Sequence, residues 1–571
     1  MRGKRILAIC LVLGVVALAV ALLPGSAAEA QVGGRHIVYN LFATDGYYEF
    51  ADNGAVPGSE SATYVYGFIG GRAGEPLTYQ TSYCTGDGVT RTCAPSTNVT
   101  LADAPQPAAG PITGLETQLA GNAQIPAPII YAAQGDVVEI RLKNLGVNAN
   151  PFAPNDPHSV HLHGLDVDAA NDGVPETSVG AVPANLCTNG KTAPAGTSCA
   201  DLGETPEASA GNVIVYMFSP EFPGTYMYHC HQEADIHVNM GMFGALVVYD
   251  PTDPAYLAGF DGAGNPIPGG GPGQNLGGNL YGFQYDKDYV MLLGEFDIRG
   301  HADEEGTYAP GGLVPPNSWD PDPYNWANYE PQYWFVNGLS FPNTIHADFP
   351  SGYSYADWQA AHPGYDPLIT GSVGAPAPLG SGYMNAAWGT PGEKVLIRVI
   401  NMGFETQPMH MHGYHGKVIG SDQRAWDWAN SPGNMSAKKP KAPTQFGEGL
   451  EKNTLTIGSG ETYDWLVDFG QQSFSSFYPD GTGGLQGTFP GGTQSCIDAS
   501  GNPVSPNDPA CDQAAFWEGD TYIKGPEVTG LFNGIVGGQS QYFPFHNHDD
   551  YKATNNGVYP GGMFTFLVPT P

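Results

Sequence analysis

The chain has 571 residues, enough for two or three domains with sizeable cores. Its net charge of −35 argues against nucleic-acid binding, and a charged content of only 13% argues against coiled coils and long solvated helices. Gly 79 and Pro 50 make a turn-rich composition that suits many short strands.

In chain order, the first predicted element is a signal peptide over residues 1–30. Arg2, Lys4 and Arg5 precede an apolar run from Ile6 to Leu23, and small residues ending at Ala30 offer a cleavage site. An uncleaved anchor is the alternative. Cysteine usage agrees with export. Three close pairs, Cys84/Cys93, Cys187/Cys199 and Cys496/Cys511, would each staple a loop in an oxidising compartment, and Cys230 is left over.

An internal repeat organises the rest. Residues 135–146 read GDVVEIRLKNLG and residues 392–403 read GEKVLIRVINMG. Both alternate as strands do. Each is followed by a His-x-His pair, at His161/His163 and His410/His412, then by another, at His229/His231 and His546/His548. Each half closes on Gly-Met-Phe and an apolar run. The predicted fold is all-β: two antiparallel β-sandwich domains with long loop insertions, over 31–250 and 285–571, joined by a Gly/Pro-rich linker over 251–284. The acidic stretch Asp303-Glu304-Glu305 reads as a solvated loop, with attraction of a metal-ion substrate as the alternative.

Strand geometry sorts the histidines. Residues i and i+2 share a face while i+1 points away, so His229 and His231 face one side and Cys230 the other. His158, three before His161, faces the Cys230 side. His237 and Met242 follow. Together, His158, Cys230, His237 and a weak Met242 form the donor set of a blue-copper centre. Zinc is the competing metal, and Met240 the rival axial ligand. The eight remaining imidazoles, four from each half, exceed the needs of one copper and suit a three-copper cluster built between two domains.

These motifs, HxxHLHG, HCH…H…GM and QPMHMHG, resemble the copper motifs of the multicopper oxidases. The resemblance implies that His161 and His410 bind a type 2 copper. It implies that His163, His229, His231, His412, His546 and His548 bind a type 3 pair, giving four coppers per chain. It also implies proton-supplying acids at Asp172, near the type 2 copper, and at Glu233, near the type 3 pair. The pattern departs from the usual last-domain type 1 site: Gln407 stands where His158 aligns, Asn547 where Cys230 aligns, and Val558 five before Met563. The chain thus resembles the two-domain members with the type 1 copper in the first domain, which implies that both sandwiches are cupredoxin-like Greek-key domains. It is expected to be an exported oxidase, periplasmic, at the cell surface or extracellular, that reduces O2 to water with electrons from a small reducing substrate: a phenol, an aromatic amine or a metal ion. Because each half carries only half of the cluster, a head-to-tail homotrimer with the cluster between chains is expected. Copper nitrite reductase and a non-enzymatic copper or electron-transfer protein are the competing readings.

Overall fold

Val138, Ile140 and Leu142 alternate with polar neighbours, and the resulting strand pairs in parallel with an N-terminal one: Ile37 lies opposite Val138, Tyr39 opposite Ile140 and Leu41 opposite Leu142. This is the centre of the first sheet in the computed structural model. The structure describes residues 34–51, 60–75, 77–82, 97–101, 114–150, 153–183, 213–262, 276–306, 324–341, 385–389, 392–426, 450–469 and 543–569, with shorter pieces between them. The predicted signal segment and Cys511 lie outside these residues.

In the first half, strands β1 (His36–Ala51), β2 (Glu60–Arg72), β3 (Ala127–Ala133), β4 (Val137–Asn144), β5 (His161–His163), β6 (Val213–Phe218), β7 (Gly224–His229) and β8 (Phe243–Tyr249) form two four-stranded sheets. Their orders are β6-β4-β1-β2 and β3-β8-β7-β5. In the second half the same plan returns. Strands β9 (Lys287–Phe296), β10 (Tyr333–Val336), β12 (Lys394–Asn401), β14 (Gly416–Ser421) and β16 (Thr462–Asp468) make a sheet in the order β10-β9-β12-β16-β14. Strands β11 (Ala387–Gly389), β13 (Gln407–Met411), β15 (Thr454–Ile457), β17 (Phe543–Asn547) and β18 (Phe564–Pro569) make the other, in the order β11-β18-β17-β13-β15.

The repeat extends to strand direction. β1 and β4 are parallel, as are β9 and β12; β3 and β8 are parallel, as are β11 and β18. Each sandwich closes around apolar side chains from both its sheets: Leu41, Ile130, Met227 and Leu246 in the first, and Met291, Val399, Phe545 and Leu567 in the second. Full burial of each such side chain contributes roughly 1.5–3 kcal/mol. The first core runs on into the second half through Leu292, Phe296, Phe335 and Ile400.

Two expectations change here. The 251–284 segment is not a plain linker. A helical turn at Pro254–Leu257 buries Tyr256 in the first core, and Gly278–Leu280 pairs with Phe283–Tyr285 against the second half. The Asp303-Glu304-Glu305 stretch is no solvated loop. It ends a helix over Ile298–Glu305, capped by the Asp297 carboxylate on the Arg299 amide, and buries Glu304 and Glu305. Disulfides join Cys84 to Cys93 and Cys187 to Cys199, as spacing predicts, and Cys230 is a buried free thiol. The Cys496/Cys511 pair falls outside the described residues.

The halves are also joined by charge. The buried Arg398 guanidinium on β12 donates to Asp288 at 2.8 Å and to Thr225 Oγ1 of the first half at 3.2 Å, with Asp464 at 3.7 Å. Thr225 in turn donates to Asp464 at 2.6 Å. No helix among the described residues is long and apolar enough to cross a membrane.

Candidate metal centre

β7 ends at His229, the chain leaves the sheet at Cys230, and a short helical turn, α1 (Ala234–His237), brings the chain back before β8 begins. That return folds His237 onto Cys230. His237 Nδ1 stands 3.4 Å from Cys230 Sγ, and His158 Nδ1 stands 3.9 Å from it. The Ser159 amide donates to the sulfur at 3.4 Å. All three side chains are buried, and their donor atoms lie within 4.8 Å of one another. Met242 is tied to both flanks by backbone bonds: the Cys230 amide donates to its carbonyl, and its own amide donates to the His237 carbonyl, both at 3.0 Å. Met242 and Met240 are each fully buried.

Burial and neighbouring groups set the electrostatics of the two imidazoles in opposite directions. Burial pulls His237 down, but the Cys230 sulfur and Asp156 outweigh it and push the imidazole up to about 10. Burial, with His237 adding to it, holds His158 well below the ordinary histidine range. Two imidazole nitrogens and a sulfur converging in a dry pocket fit a soft cation such as copper.

The other imidazoles gather on the far side of the same strands. His161 lies directly across from His229 in the β5–β7 ladder, with ring centroids 5.0 Å apart. His163 and His231 complete a tetrad, 5.5 and 5.1 Å from His161. The second half repeats this. His410 lies across from His546 in the β13–β17 ladder, His412 is 4.8 Å and His548 5.1 Å from His410, and the Nε2 atoms of His412 and His546 approach to 3.0 Å.

Four of these rings have Nδ1 fixed by an acceptor, which leaves Nε2 for a metal. His161 Nδ1 donates to the Asp172 carbonyl at 2.8 Å, with Asp172 Oδ1 at 3.2 Å. His410 Nδ1 faces the Asn453 carbonyl at 3.0 Å and Thr454 Oγ1 at 2.8 Å. His229 and His546 each bond the carbonyl of the following residue, Cys230 at 2.9 Å and Asn547 at 2.8 Å. Asp172 is held in place by Gly173 (φ 76°), where a Cβ would strike the Val160 carbonyl. Among the described residues, the ring contacts of each tetrad stay within its own half. His412 and His548 are exposed, whereas His229 is buried.

Glu233, expected beside the type 3 histidines, sits on the other side. It adopts a left-handed backbone (φ 45°) at the start of α1, and its carboxylate groups with Asp156 and His237. Burial and then Asp156 raise it above its ordinary value. Asp156 Oδ2 is 3.8 Å from His237 Nε2. Sequence reading passed over Asp156, although Asn-Asp-Pro directly precedes His158. It read Glu304 as part of a solvated loop, whereas burial raises its carboxyl to about 7 and Tyr66 contacts it at 3.3 Å.

The corresponding pocket of the second half holds no thiol. Asn547 Nδ2 donates to Gln407 Oε1 at 2.6 Å and to Met563 Sδ at 3.4 Å, and Gln407 Nε2 donates to Glu295 at 2.7 Å. The backbone matches bond for bond: the Asn547 amide donates to the Met563 carbonyl at 2.9 Å, and the Met563 amide to the Lys552 carbonyl at 3.0 Å. The counterpart of His237 is therefore Lys552, not Val558. Its buried ammonium donates to the Thr406 carbonyl at 2.7 Å and pairs with Glu405 at 3.2 Å.

A model of the multicopper oxidase family matches residues 94–252 and 383–469, one block in each half. The multicopper oxidase MmcO of Mycobacterium tuberculosis is 24% identical over 375 residues, 65% of this chain and 51% of that protein. Copper resistance protein A of Escherichia coli is 27% identical over 148 residues, 26% of this chain and 18% of that protein. The chain thus spans about half or less of the length of these relatives. Among solved structures, the multicopper oxidase mgLAC is 16% identical, covering 94% of this chain and 86% of its own, with a TM-score of 0.40. The blue copper oxidase of Nitrosomonas europaea is 14% identical, covering 93% and 85%, with a TM-score of 0.39.

Proposed function

We propose that this protein, a bearer of the multicopper oxidase domain, is an exported copper oxidase that couples one-electron oxidation of a small substrate to four-electron reduction of O2. The observation that carries the reading is the double use of residues 229–231. The Cys230 sulfur faces the Nδ1 atoms of His158 and His237, while His229 and His231 face the tetrad on the other side. Copper, when bound, would supply one-electron chemistry at His158, Cys230, His237 and Met242, and multi-electron delivery to O2 at His161, His410, His163, His229, His231, His412, His546 and His548.

The chain's own residues do the rest. Cys230 joins the two donor sets through its backbone bonds to His229 and His231, a short covalent path for an electron. Asp172 orients His161 and holds a carboxylate 3.2 Å from its ring, where a proton needed for water formation can be kept. Asp156 and Glu233 place negative charge at the outer face of His237, which favours a cationic or proton-releasing substrate there. The buried, hydrogen-bonded plug of Glu295, Gln407, Asn547 and Met563 leaves the second half with imidazoles alone.

The exposure of His412 and His548 in the second tetrad supports assembly of the cluster between copies, head to tail, closing as a homotrimer. Two measurements test the whole reading. Oxygen uptake by the copper-loaded protein is measured with a phenol, an aromatic diamine, Fe(II) and Cu(I) in turn. Light scattering is expected to give three times the mass of one mature chain. Nitrite reduction without oxygen uptake, or electron transfer with neither, would overturn the oxidase reading. A fully active monomer would overturn the trimer.

A further inference from the structure

The turn that carries His237 and Met242 is gripped from the second half. After α1 the chain runs through Val238 to Gly241, with the Met240 amide donating to the Ile236 carbonyl at 2.8 Å and the Gly241 amide to the Val238 carbonyl at 3.0 Å. Within the first half, the Tyr66 amide holds the Met240 carbonyl at 3.1 Å. Gly241 has a φ of 113°, and a Cβ there would lie 2.5 Å from Ile125 Cδ1, so the turn packs closely on that side.

The second half reaches this turn at Asn239, which is buried and whose Oδ1 accepts from the Asp297 amide at 3.2 Å. Asp297 is a rigid donor. Its fully buried carboxylate accepts from the Arg299 amide at 3.1 Å, from Arg299 Nε at 2.9 Å and from the Glu330 amide at 2.8 Å. The helix that follows, Ile298–Glu305, is fastened to the first half twice more. His301 Nδ1 donates to the Tyr64 carbonyl at 2.6 Å, and Asn150 Nδ2 donates to the Glu305 carbonyl at 2.9 Å. Of these three bonds between the halves, only the one at Asn239 lands on the turn that presents metal donors.

For stability alone an apolar side chain would suit position 239 better. Asn239 Nδ2 is buried with no hydrogen-bond partner among the described residues, which costs stability. The useful atom is Oδ1, and what it fixes is the backbone between an imidazole and a thioether. Groups behind a metal's ligands set their orientation, and in a blue-copper centre the axial thioether tunes the potential. We propose that Asn239 is a positioning residue of the Cys230 pocket: anchored by the Asp297 amide, it fixes the turn from His237 to Met242, so that the second half sets the axial contact and the pocket's readiness to accept an electron. This rests on the copper reading of that pocket. A thioether lone pair stabilises oxidised copper more than reduced copper. A turn freed from Asp297 lets the thioether move off, and the reduced form gains.

The test uses the copper-loaded full chain. Redox titration of the thiolate–copper band reads the midpoint potential, and the intensity ratio of the two visible thiolate–copper transitions reads the axial contact. Asn239→Ala removes the acceptor and leaves space, whereas Asn239→Leu removes the acceptor and keeps the volume. Both are expected to change the ratio and to raise the midpoint by about 59 mV, which is a shift of about tenfold toward the reduced form. Asn150→Ala cuts another bond to the same helix and is expected to leave both readouts at their wild-type values. Asn239→Leu decides the matter if Asn239→Ala fails to fold. A wild-type midpoint and ratio in Asn239→Leu, or an equal rise in Asn150→Ala, would overturn the positioning role while leaving the copper reading intact. A wild type with no thiolate–copper band would overturn the copper reading and the proposal with it.

Discussion

Glu295 gives the second-half plug a pH dependence that can be measured. Its carboxyl is buried, and burial raises it from 4.5 to about 7 against the opposing bond from the Glu405 amide. A folded-state value above the unfolded one means that the folded protein binds the extra proton. Its contribution is therefore fully present below pH 4.5 and is lost as pH rises through 7. At about 1.4 kcal/mol per unit, the stretch from pH 5 to pH 8 spans a loss of roughly 2–3 kcal/mol from this one group. Glu295→Gln removes the titration while keeping the shape. Denaturant unfolding of wild type and variant, each at pH 5 and pH 8, isolates the term as a difference of differences, which cancels the histidines common to both. The variant is expected to gain roughly 2–3 kcal/mol relative to wild type between the two pH values. Parallel curves would refute the claim that Glu295 is the buried acid of the plug.

Cys230→Ser is expected to abolish the intense thiolate–copper absorption and substrate oxidation while the imidazole tetrads still take up copper, which metal analysis with visible spectra would check. Arg398→Met leaves Asp288 and Asp464 without their buried cation, so a loss of about 3–5 kcal/mol is expected at pH 7, with partial recovery at lower pH as the carboxylates protonate; thermal melts at two pH values read both effects. Asp172→Asn is expected to slow reoxidation of the reduced enzyme by O2 more than reduction by substrate, and stopped-flow traces of the two half-reactions would separate them.

The doubled sandwich was legible because strand alternation and the repeated Gly-x-x-Val-x-Ile-Arg frame are local properties of the chain. The side assignment of Cys230 against His229 and His231 followed from the same alternation, carried just past the strand end at His229. Alternation fails where the strand stops. Glu233 sits at a left-handed residue after the turn, and no count of residues from Cys230 could have aimed its carboxylate at His237. Spacing failed again at Lys552. The chain between it and Met563 is longer than the one between His237 and Met242, so counting back from the methionine landed on Val558, while the backbone bonds identify Lys552. The acids at 303–305 were misread because their partners, Tyr66 and Tyr47, come from strands more than 200 residues away.

The amide plug of the second half has a consequence for how a duplicated domain can specialise. A metal pocket emptied by mutation would ordinarily leave buried donors unmet and a loop untethered. Here a glutamine and an asparagine take the positions of an imidazole and a thiolate, and they satisfy each other and Glu295. A lysine anchored to the Thr406 carbonyl holds the turn that a third ligand would have held. The loop presenting His546 and His548 is thus tied down by hydrogen bonds and one ion pair of the protein itself.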